Sequence, residues 1–111
     1  MSDSRCDIET CIDFTGALTV KWTGAANTRR PAAALSPLFE QLLDNKRYLR
    51  FDFSELEHMS SSTLVVVMKF FKELKLLGVG FDLRFDDRSA WQRMTFAGLS
   101  SLAAIEMQLA A

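Results

Sequence analysis

Alternating apolar and polar side chains predict four β-strands along the chain. The clearest strand is residues 48–53, in which apolar residues alternate with Arg50 and Asp52. Successive side chains of a strand point to opposite faces, so this pattern is typical of a strand with one buried and one solvated face. The other strands are predicted at residues 8–14, 18–23 and 79–85, with connections at residues 15–17, 24–28 and 54–58.

Apolar residues spaced three and four apart predict helices between these strands. The spacing i, i+3, i+4, i+7, i+8 from Leu35 onward predicts a helix over residues 35–44. Pro31 suits a first helical turn, whereas Pro37 requires either a start near Ser36 or a kink. Further helices are predicted at residues 62–77, stopped by Gly78, at residues 89–96, and in the Ala-rich tail from residue 100.

The element order β-β-α-β-α-β-α-α predicts an α/β fold with a mixed four- to five-stranded sheet. Strand–helix–strand crossovers imply parallel neighbours. Because the strands alternate and are not apolar on both sides, we expect all helices on one face of the sheet. The opposite face then carries charged residues that can pair across strands. We expect one domain over residues 1–111, with its core in residues 8–109, and six buried apolar side chains: Leu38, Leu42, Phe51, Phe53, Phe81 and Leu83.

Composition and charge exclude several classes of partner. The 111 residues are 49% hydrophobic and 24% charged, with a net charge of −1 and no basic stripe, so we expect no nucleic acid partner. The longest apolar run, residues 64–68, is too short to span a membrane, and the first residues contain no apolar signal segment. These features predict a cytoplasmic protein.

The chain contains few residues of the types that bind metals. Cys6 and Cys11 are the only cysteines and His58 is the only histidine, distant from both in the sequence. A zinc site needs more ligands than this, so we expect reduced thiols, no metal and no cofactor.

Four consecutive hydroxyl residues, Ser60 to Thr63, stand where a strand connection gives way to the second long helix. Ser and Thr are favoured at helix N-caps because their oxygens accept hydrogen bonds from unpaired backbone N–H groups. Four hydroxyls exceed what capping needs, and a helix N-terminus favours negative charge. The run is therefore either plain capping in a Ser-rich turn or a site of phosphorylation.

Catalysis by this run is the weaker interpretation. A serine hydrolase needs a base, and His58, two residues before Ser60, is the only candidate. The chain has neither a Gly-x-Ser-x-Gly elbow nor a Gly-rich loop that would hold phosphates. We expect no catalytic residues and no enzymatic activity.

Taken together, these segments resemble the STAS family, the anti-sigma-factor antagonist domain. The resemblance rests on residues 51–54, on the run from Met59 to Leu64 with its helix to Gly78, and on residues 94–99, which look like the family's short helix ending in Gly-Leu. It covers residues 8–109 and implies a STAS-like (SpoIIAA-like) fold.

The family's switch motif, Asp-Ser-Ser/Thr-Gly-Leu, aligns with Ser60 to Leu64. The resemblance implies that Ser62 is the phosphoacceptor, with Ser61 as the alternate. It also implies a partner-binding surface around the start of the second helix, formed by His58, Met59, Ser60, Ser61, Ser62 and Thr63. Two residues depart from the motif, because Ser60 stands at the acidic position and Thr63 at the glycine.

The resemblance implies a non-enzymatic partner-switching regulator that acts in signal transduction and transcription regulation. Its partner would be an anti-sigma factor or a serine kinase, with a phosphatase as a further partner. The alternative is a constitutive STAS adaptor of a transporter or signalling complex that is not phosphorylated, an interpretation that the departures at Ser60 and Thr63 favour. The sequence does not identify the oligomeric state.

Overall fold

The computed structural model describes residues 6–27, 29–45 and 47–96. These form four strands and three helices. The elements are β1 (Cys6–Ile12), β2 (Leu18–Ala26), α1 (Pro31–Asn45), β3 (Leu49–Met59), α2 (Ser61–Leu76), β4 (Phe81–Arg84) and a short helix α3 (residues 90–96). The predicted helical tail lies outside the described residues.

The strands form one mixed sheet in the order β1-β2-β3-β4. β1 and β2 are antiparallel, whereas β2, β3 and β4 run parallel, as the crossovers through α1 and α2 require. Phe51 of β3 packs against Phe71 of α2, and the next inward residue, Phe53, stacks on Phe96 of α3. Phe39 of α1 stacks in turn on α2. The predicted one-sided α/β arrangement is confirmed.

The other face of the sheet carries the expected charge pairs. Arg50 lies between two carboxylates, with its guanidinium nitrogens 3.3 Å from Asp13 and 3.2 Å from Asp82. Lys21 and Glu55 form a further ion pair across β2 and β3 at 2.7 Å. Opposite charges on neighbouring strands thus pair along this solvated face.

β3 is longer than its sequence pattern indicates. The predicted turn at residues 54–58 is wrong, because β3 continues to Met59. The loop predicted at residues 24–28 is wrong in its first three residues, because β2 continues to Ala26. The ladder shifts register twice, between Lys21 and Thr23 and between Gly24 and Ala25. Each irregularity inserts an extra residue in β3, so its buried positions change from every second residue to every third: Phe53, Leu56 and Met59.

α2 ends at the predicted helix stop, Gly78. At the carboxyl end, Gly78 adopts a φ of +74°, a conformation that glycine reaches without steric cost. Its N–H donates to the carbonyl of Lys75 and that of Val79 donates to the carbonyl of Leu74, the two bonds of a Schellman motif.

α1 begins at Pro31, earlier than predicted, and continues through Pro37.

The core lies between the sheet and the helices. Phe51, Phe53, Phe81 and Leu42 are buried, as predicted. Leu38 and Leu83 are only partly buried and pack against the edge of the core, so their predicted full burial is wrong. Leu83 belongs to β4, which has one neighbouring strand, and an edge position leaves one side of a residue open.

Candidate docking site at the start of helix α2

Ser60 connects the end of the sheet to the first turn of α2. Its backbone is extended, with a φ of −69° and a ψ of 157°, and its N–H donates to the carbonyl of Ala26 at the end of β2, at 2.9 Å. Its hydroxyl oxygen accepts from the N–H of Thr63 at 3.3 Å. Ser60 is therefore a helix N-cap, and its two anchors fix where α2 begins relative to β2.

Ser61 and Ser62 occupy the first two positions of α2, and both side chains are exposed. Within the described part of the chain, neither hydroxyl has a hydrogen-bond partner. The backbone N–H groups at these positions have no acceptor within the helix, and they make this end of α2 electropositive. Two unengaged hydroxyls thus face solvent at a position that favours negative charge.

Thr63 and Met59 do not belong to the exposed surface. Thr63 is 1% exposed and its hydroxyl lies 2.8 Å from that of Ser60, while Met59 is an inward residue of β3 at 8% exposure. Of the six residues predicted for the docking surface, His58, Ser61 and Ser62 therefore have exposed side chains, and the side chain of Ser60 is partly exposed. Thr63 supports this surface from the side of the core, through the contact between its hydroxyl and that of Ser60.

The two departures from the STAS motif both fit this geometry. An aspartate and a serine are equally good N-caps, so Ser60 keeps the capping role of the acidic position while removing its charge. Thr63 lies in regular helix, where the free backbone of a glycine is not required, and its side chain points inward.

His58 lies beside the serines without forming a catalytic pair. Its side chain is exposed, and its ring centroid is 6.5 Å from that of Trp91 on α3. In residues 6–96, apart from the undescribed positions 28 and 46, His58 makes no hydrogen bond to a serine hydroxyl. The aromatic neighbour extends the surface toward α3 and was not anticipated from the sequence, since Trp91 follows the hydroxyl run by about thirty positions.

Gln92 of α3 holds the bulged end of β3 that carries His58. Its side chain is 2% exposed, and its amide nitrogen donates to the carbonyls of Leu56 at 2.8 Å and Ser54 at 3.4 Å. Its amide oxygen accepts from the N–H of Asp86 at 2.8 Å. β4 pairs with β3 only as far as Asp52, so the side chain of Gln92 supplies hydrogen bonds to carbonyls of β3 beyond the end of that pairing.

Val65 adds an apolar element to the same face of α2. It follows Ser62 by three residues, which places it one turn further along the helix surface, and its side chain is 49% exposed. An exposed valine beside two serines suits a protein contact with an apolar centre.

The described residues hold no cluster of three or more His, Cys, Asp or Glu side chains that could bind a metal ion. None of the described helices is both long and apolar enough to cross a membrane.

The likeness to a solved anti-sigma factor antagonist confirms the predicted STAS-like fold. An anti-sigma factor antagonist from Mycobacterium paratuberculosis superposes with a TM-score of 0.70 at 18% identity, covering 91% of this chain and 85% of that one. A protein from Shewanella loihica PV-4, of the DUF3478 family and with a SpoIIAA-like fold, gives a TM-score of 0.47 at 18% identity, with 85% and 80% of the chains covered. No protein-family model and no curated protein sequence matches this chain.

Proposed function

We propose that the protein is a non-enzymatic regulator that binds a protein partner through the start of α2 and releases it when Ser62 is phosphorylated. The observation that carries the proposal is the pair of exposed, unengaged hydroxyls of Ser61 and Ser62 on a helix end that Ser60 and Ala26 hold in place. The likeness of the fold to an anti-sigma factor antagonist supports it.

The chemistry of the switch is a change of charge without a change of fold. A phosphate on Ser62 adds about −1.5 to −2 charge at neutral pH. The free N–H groups and the helix dipole stabilise that charge in the unbound protein, so the domain stays folded. A partner surface shaped for a neutral hydroxyl would have to desolvate the phosphate, which weakens binding.

The partner we expect is an anti-sigma factor or a serine kinase of the same cytoplasmic system, and a phosphatase would reverse the modification. The contact would centre on Ser62 and Val65, with His58 and Trp91 at its side. Ser61, one position earlier and equally exposed, is the alternate acceptor.

The experiment compares Ser62→Ala, Ser62→Asp and Ser62→Asn in the full chain. A partner is first identified by affinity capture with the wild-type protein, and its affinity for each purified variant is then measured by calorimetry. We expect Ser62→Asp to weaken binding at least about tenfold because it buries a charge, while Ser62→Ala and Ser62→Asn stay within about threefold. Asn matches Asp in size, so this pair separates charge from bulk.

Phosphate mapping completes the test. Intact-mass and peptide analysis of the protein from cells should find a phosphate at Ser62, and none in the Ser62→Ala variant. If Ser62→Asp and Ser62→Asn weaken partner binding equally, the effect comes from the size of the side chain and not from its charge. An unmodified serine run together with unchanged affinity of Ser62→Asp would overturn the switch.

A constitutive adaptor of the same fold is the second candidate. Ser60 favours it, because it caps the helix without supplying the carboxylate of the family motif. The adaptor predicts a stable complex with a transporter or signalling protein, no phosphate in cells, and binding that survives all three changes at Ser62.

A further inference from the structure

Large apolar side chains are exposed at one end of the molecule, far from Ser62. Among the described residues seven large hydrophobic side chains are exposed, and five of them lie at this end of the fold. We call these five residues the basal patch: Ile12, Phe14, Tyr48, Leu76 and Leu77. The two others are Val65, near Ser62, and Met94 on α3.

Backbone hydrogen bonds place the basal patch at the end of the sheet where the parallel strands begin. The N–H of Leu18, the first residue of β2, donates to the carbonyl of Tyr48, just before β3, at 2.9 Å. The N–H of Leu49 donates likewise to Gly80, just before β4, at 3.0 Å. Ile12 pairs with Leu18, and Leu76 and Leu77 end the helix that leads into β4. Ser60 lies at the opposite end of β3.

Phe14 projects from this patch on a hydrogen-bonded turn. Its side chain is 101% exposed, as much as in an open peptide. The turn that carries it is nevertheless well ordered by hydrogen bonds, because the carboxylate of Asp13 accepts from the N–H of Thr15 at 2.8 Å and from the hydroxyl of the same residue. The N–H of Asp13 donates to the carbonyl of Ala17 at 2.9 Å, which closes the turn.

A cavity of about 510 Å³ opens beside the same patch. Its lining residues are Leu43, Arg47, Tyr48, Leu77, Gly78, Val79 and Gly80. Only one of them is charged, and the guanidinium of that residue, Arg47, donates to the carbonyl of Gly16 at 3.2 Å. The cavity wall is thus tied to the turn that carries Phe14. Gly80 leaves room for the ring of Tyr48, whose Cδ2 would lie 2.9 Å from a β-carbon at this position.

We infer that the basal patch binds a second copy of this chain, with Phe14 of each protomer inserted into the cavity of its partner. Phe14 and the cavity lie at the same end of the molecule. A two-fold axis through this end would bring the Phe14 of each protomer to the cavity of the other, as in an isologous interface. A cavity of about 150 Å³ is enough to bind benzene, so the observed cavity accommodates a phenyl ring. Among the described lining residues Arg47 alone is charged, and depletion of charged residues is typical of an interface core.

The size of the patch predicts a weak dimer. At about 200 Å² for a fully exposed large side chain, the exposed fractions of these five residues amount to roughly 700 Å². This is below the ~800 Å² per partner of a standard stable interface. We expect a dissociation constant on the order of 10–100 µM. Because Ser62 lies at the other end of β3, the dimer leaves the proposed docking surface of each protomer open, and the inference stands independently of the proposed function.

Sedimentation analysis of the full chain, from about 1 µM to about 1 mM, tests the inference. The wild-type protein should pass from monomer to dimer over this range. Phe14→Ala should raise the dissociation constant about 30-fold, as for an aromatic hot spot, and Leu77→Glu should abolish the dimer by placing a charge in the cavity wall. The matched control is Met94→Ala, which removes an 80% exposed side chain elsewhere and should leave the dimer unchanged.

Circular dichroism of each variant confirms that the fold is retained, since Phe14 contributes no buried surface. A wild-type protein that remains monomeric at about 1 mM would overturn the inference, as would a dimer that Phe14→Ala and Leu77→Glu leave intact or that Met94→Ala weakens equally. A monomer whose cavity binds the probe 8-anilinonaphthalene-1-sulfonate would likewise overturn it in favour of a small-molecule site.

Discussion

At the scale of single residues, Ser60 controls the geometry of the candidate site. It makes four connections. Its N–H donates to the carbonyl of Ala26 and its carbonyl accepts from the N–H of Leu64. Its hydroxyl oxygen accepts from the N–H of Thr63 and contacts the hydroxyl of the same residue. The hydroxyl of Thr63 is buried, so the cap supplies the only polar group that it contacts within the described residues. Losing Ser60 would therefore leave two polar groups unsatisfied.

We expect Ser60→Ala to lower the free energy of unfolding by about 1–2 kcal/mol, the upper part of the range for a lost N-cap. Ser60→Asp restores both acceptors and adds a charge that the helix dipole favours, so its stability at neutral pH should equal or exceed that of the wild type by up to about 1 kcal/mol. Urea unfolding at pH 7 measures both changes.

Ser61→Ala is the control, because it removes an exposed hydroxyl without a partner and should change stability by less than about 0.5 kcal/mol. Equal effects of Ser60→Ala and Ser61→Ala would contradict the capping role.

The hydroxyl run illustrates what can be predicted at this scale. The excess of hydroxyls over capping needs pointed to an exposed serine at the start of α2, and Ser61 and Ser62 are exposed. Which member of the run would turn inward was not predictable, because a shift of one residue in the helix start rotates every side chain by a large part of a turn. Ser60 at the cap places Thr63 at the third helical position, facing the core.

At the scale of elements, the bulged end of β3 determines where the candidate site lies. β3 loses its partner β4 after Asp52, and beyond that point the carbonyls of Ser54 and Leu56 accept hydrogen bonds from the side chain of Gln92. The same side chain accepts the N–H of Asp86 from the segment that precedes α3. One buried amide thus joins the sheet, this segment and α3.

We predict that Gln92→Met, which keeps the length and volume of the side chain, lowers the free energy of unfolding by about 2–4 kcal/mol. The cost arises because the carbonyl of Leu56 and the N–H of Asp86 remain buried without partners. Denaturant unfolding measures it, and a loss below about 0.5 kcal/mol would show that water replaces the amide.

Gln92→Glu is the matched control. A carboxylate still accepts from Asp86 but faces two carbonyls, so its folded pKa should be raised above the unfolded value. The free energy of unfolding of this variant is then highest below the unfolded pKa, and it falls as the pH rises through the folded pKa. Its deficit relative to the wild type should be larger at pH 7 than at pH 4.

The elements whose signals are local were predictable. Gly78 as a helix stop, the turn at residues 15–17 and the inward alternation of Phe51 and Phe53 each depend on residues a few positions apart. The extension of β3 was not, because each bulge breaks the two-residue period on which a strand prediction rests. The role of Gln92 also escaped prediction, since its partners lie 36 and 38 positions away and no periodicity connects them.

At the scale of the whole molecule, the two surfaces proposed for binding lie at opposite ends of the parallel strands. The start of α2 follows the end of β3, and the basal patch surrounds the starts of β2, β3 and β4. The charged face of the sheet lies between them, and Arg50 joins Asp13 near the basal patch to Asp82 of β4. The carboxylate of Asp13 therefore connects the sheet to the turn that carries Phe14.

The hydroxyl of Thr15, together with backbone N–H groups and Arg50, lowers the pKa of Asp13, and a hydrogen bond from Arg88 lowers that of Asp86. A carboxyl group whose folded pKa is depressed stabilises the protein above its unfolded pKa of about 3.9, and this stability is lost as the pH falls through the folded value. We therefore expect the urea midpoint to fall on acidification below about pH 4.

Asp13→Asn should be less stable than the wild type at pH 7, and the two curves should converge at low pH because the wild-type carboxyl is then neutral as well. The difference at pH 7 should persist largely in high salt, since hydrogen bonds from Thr15 contribute more than the screened attraction of Arg50. Asp86→Asn shares no partner with Asp13, so the double variant should lose the sum of the two effects. Superimposable acid curves for Asp13→Asn and the wild type would show that ionisation of this carboxylate contributes nothing to stability. The turn that carries Phe14 would then depend on its other hydrogen bonds, those of its backbone and of Arg47.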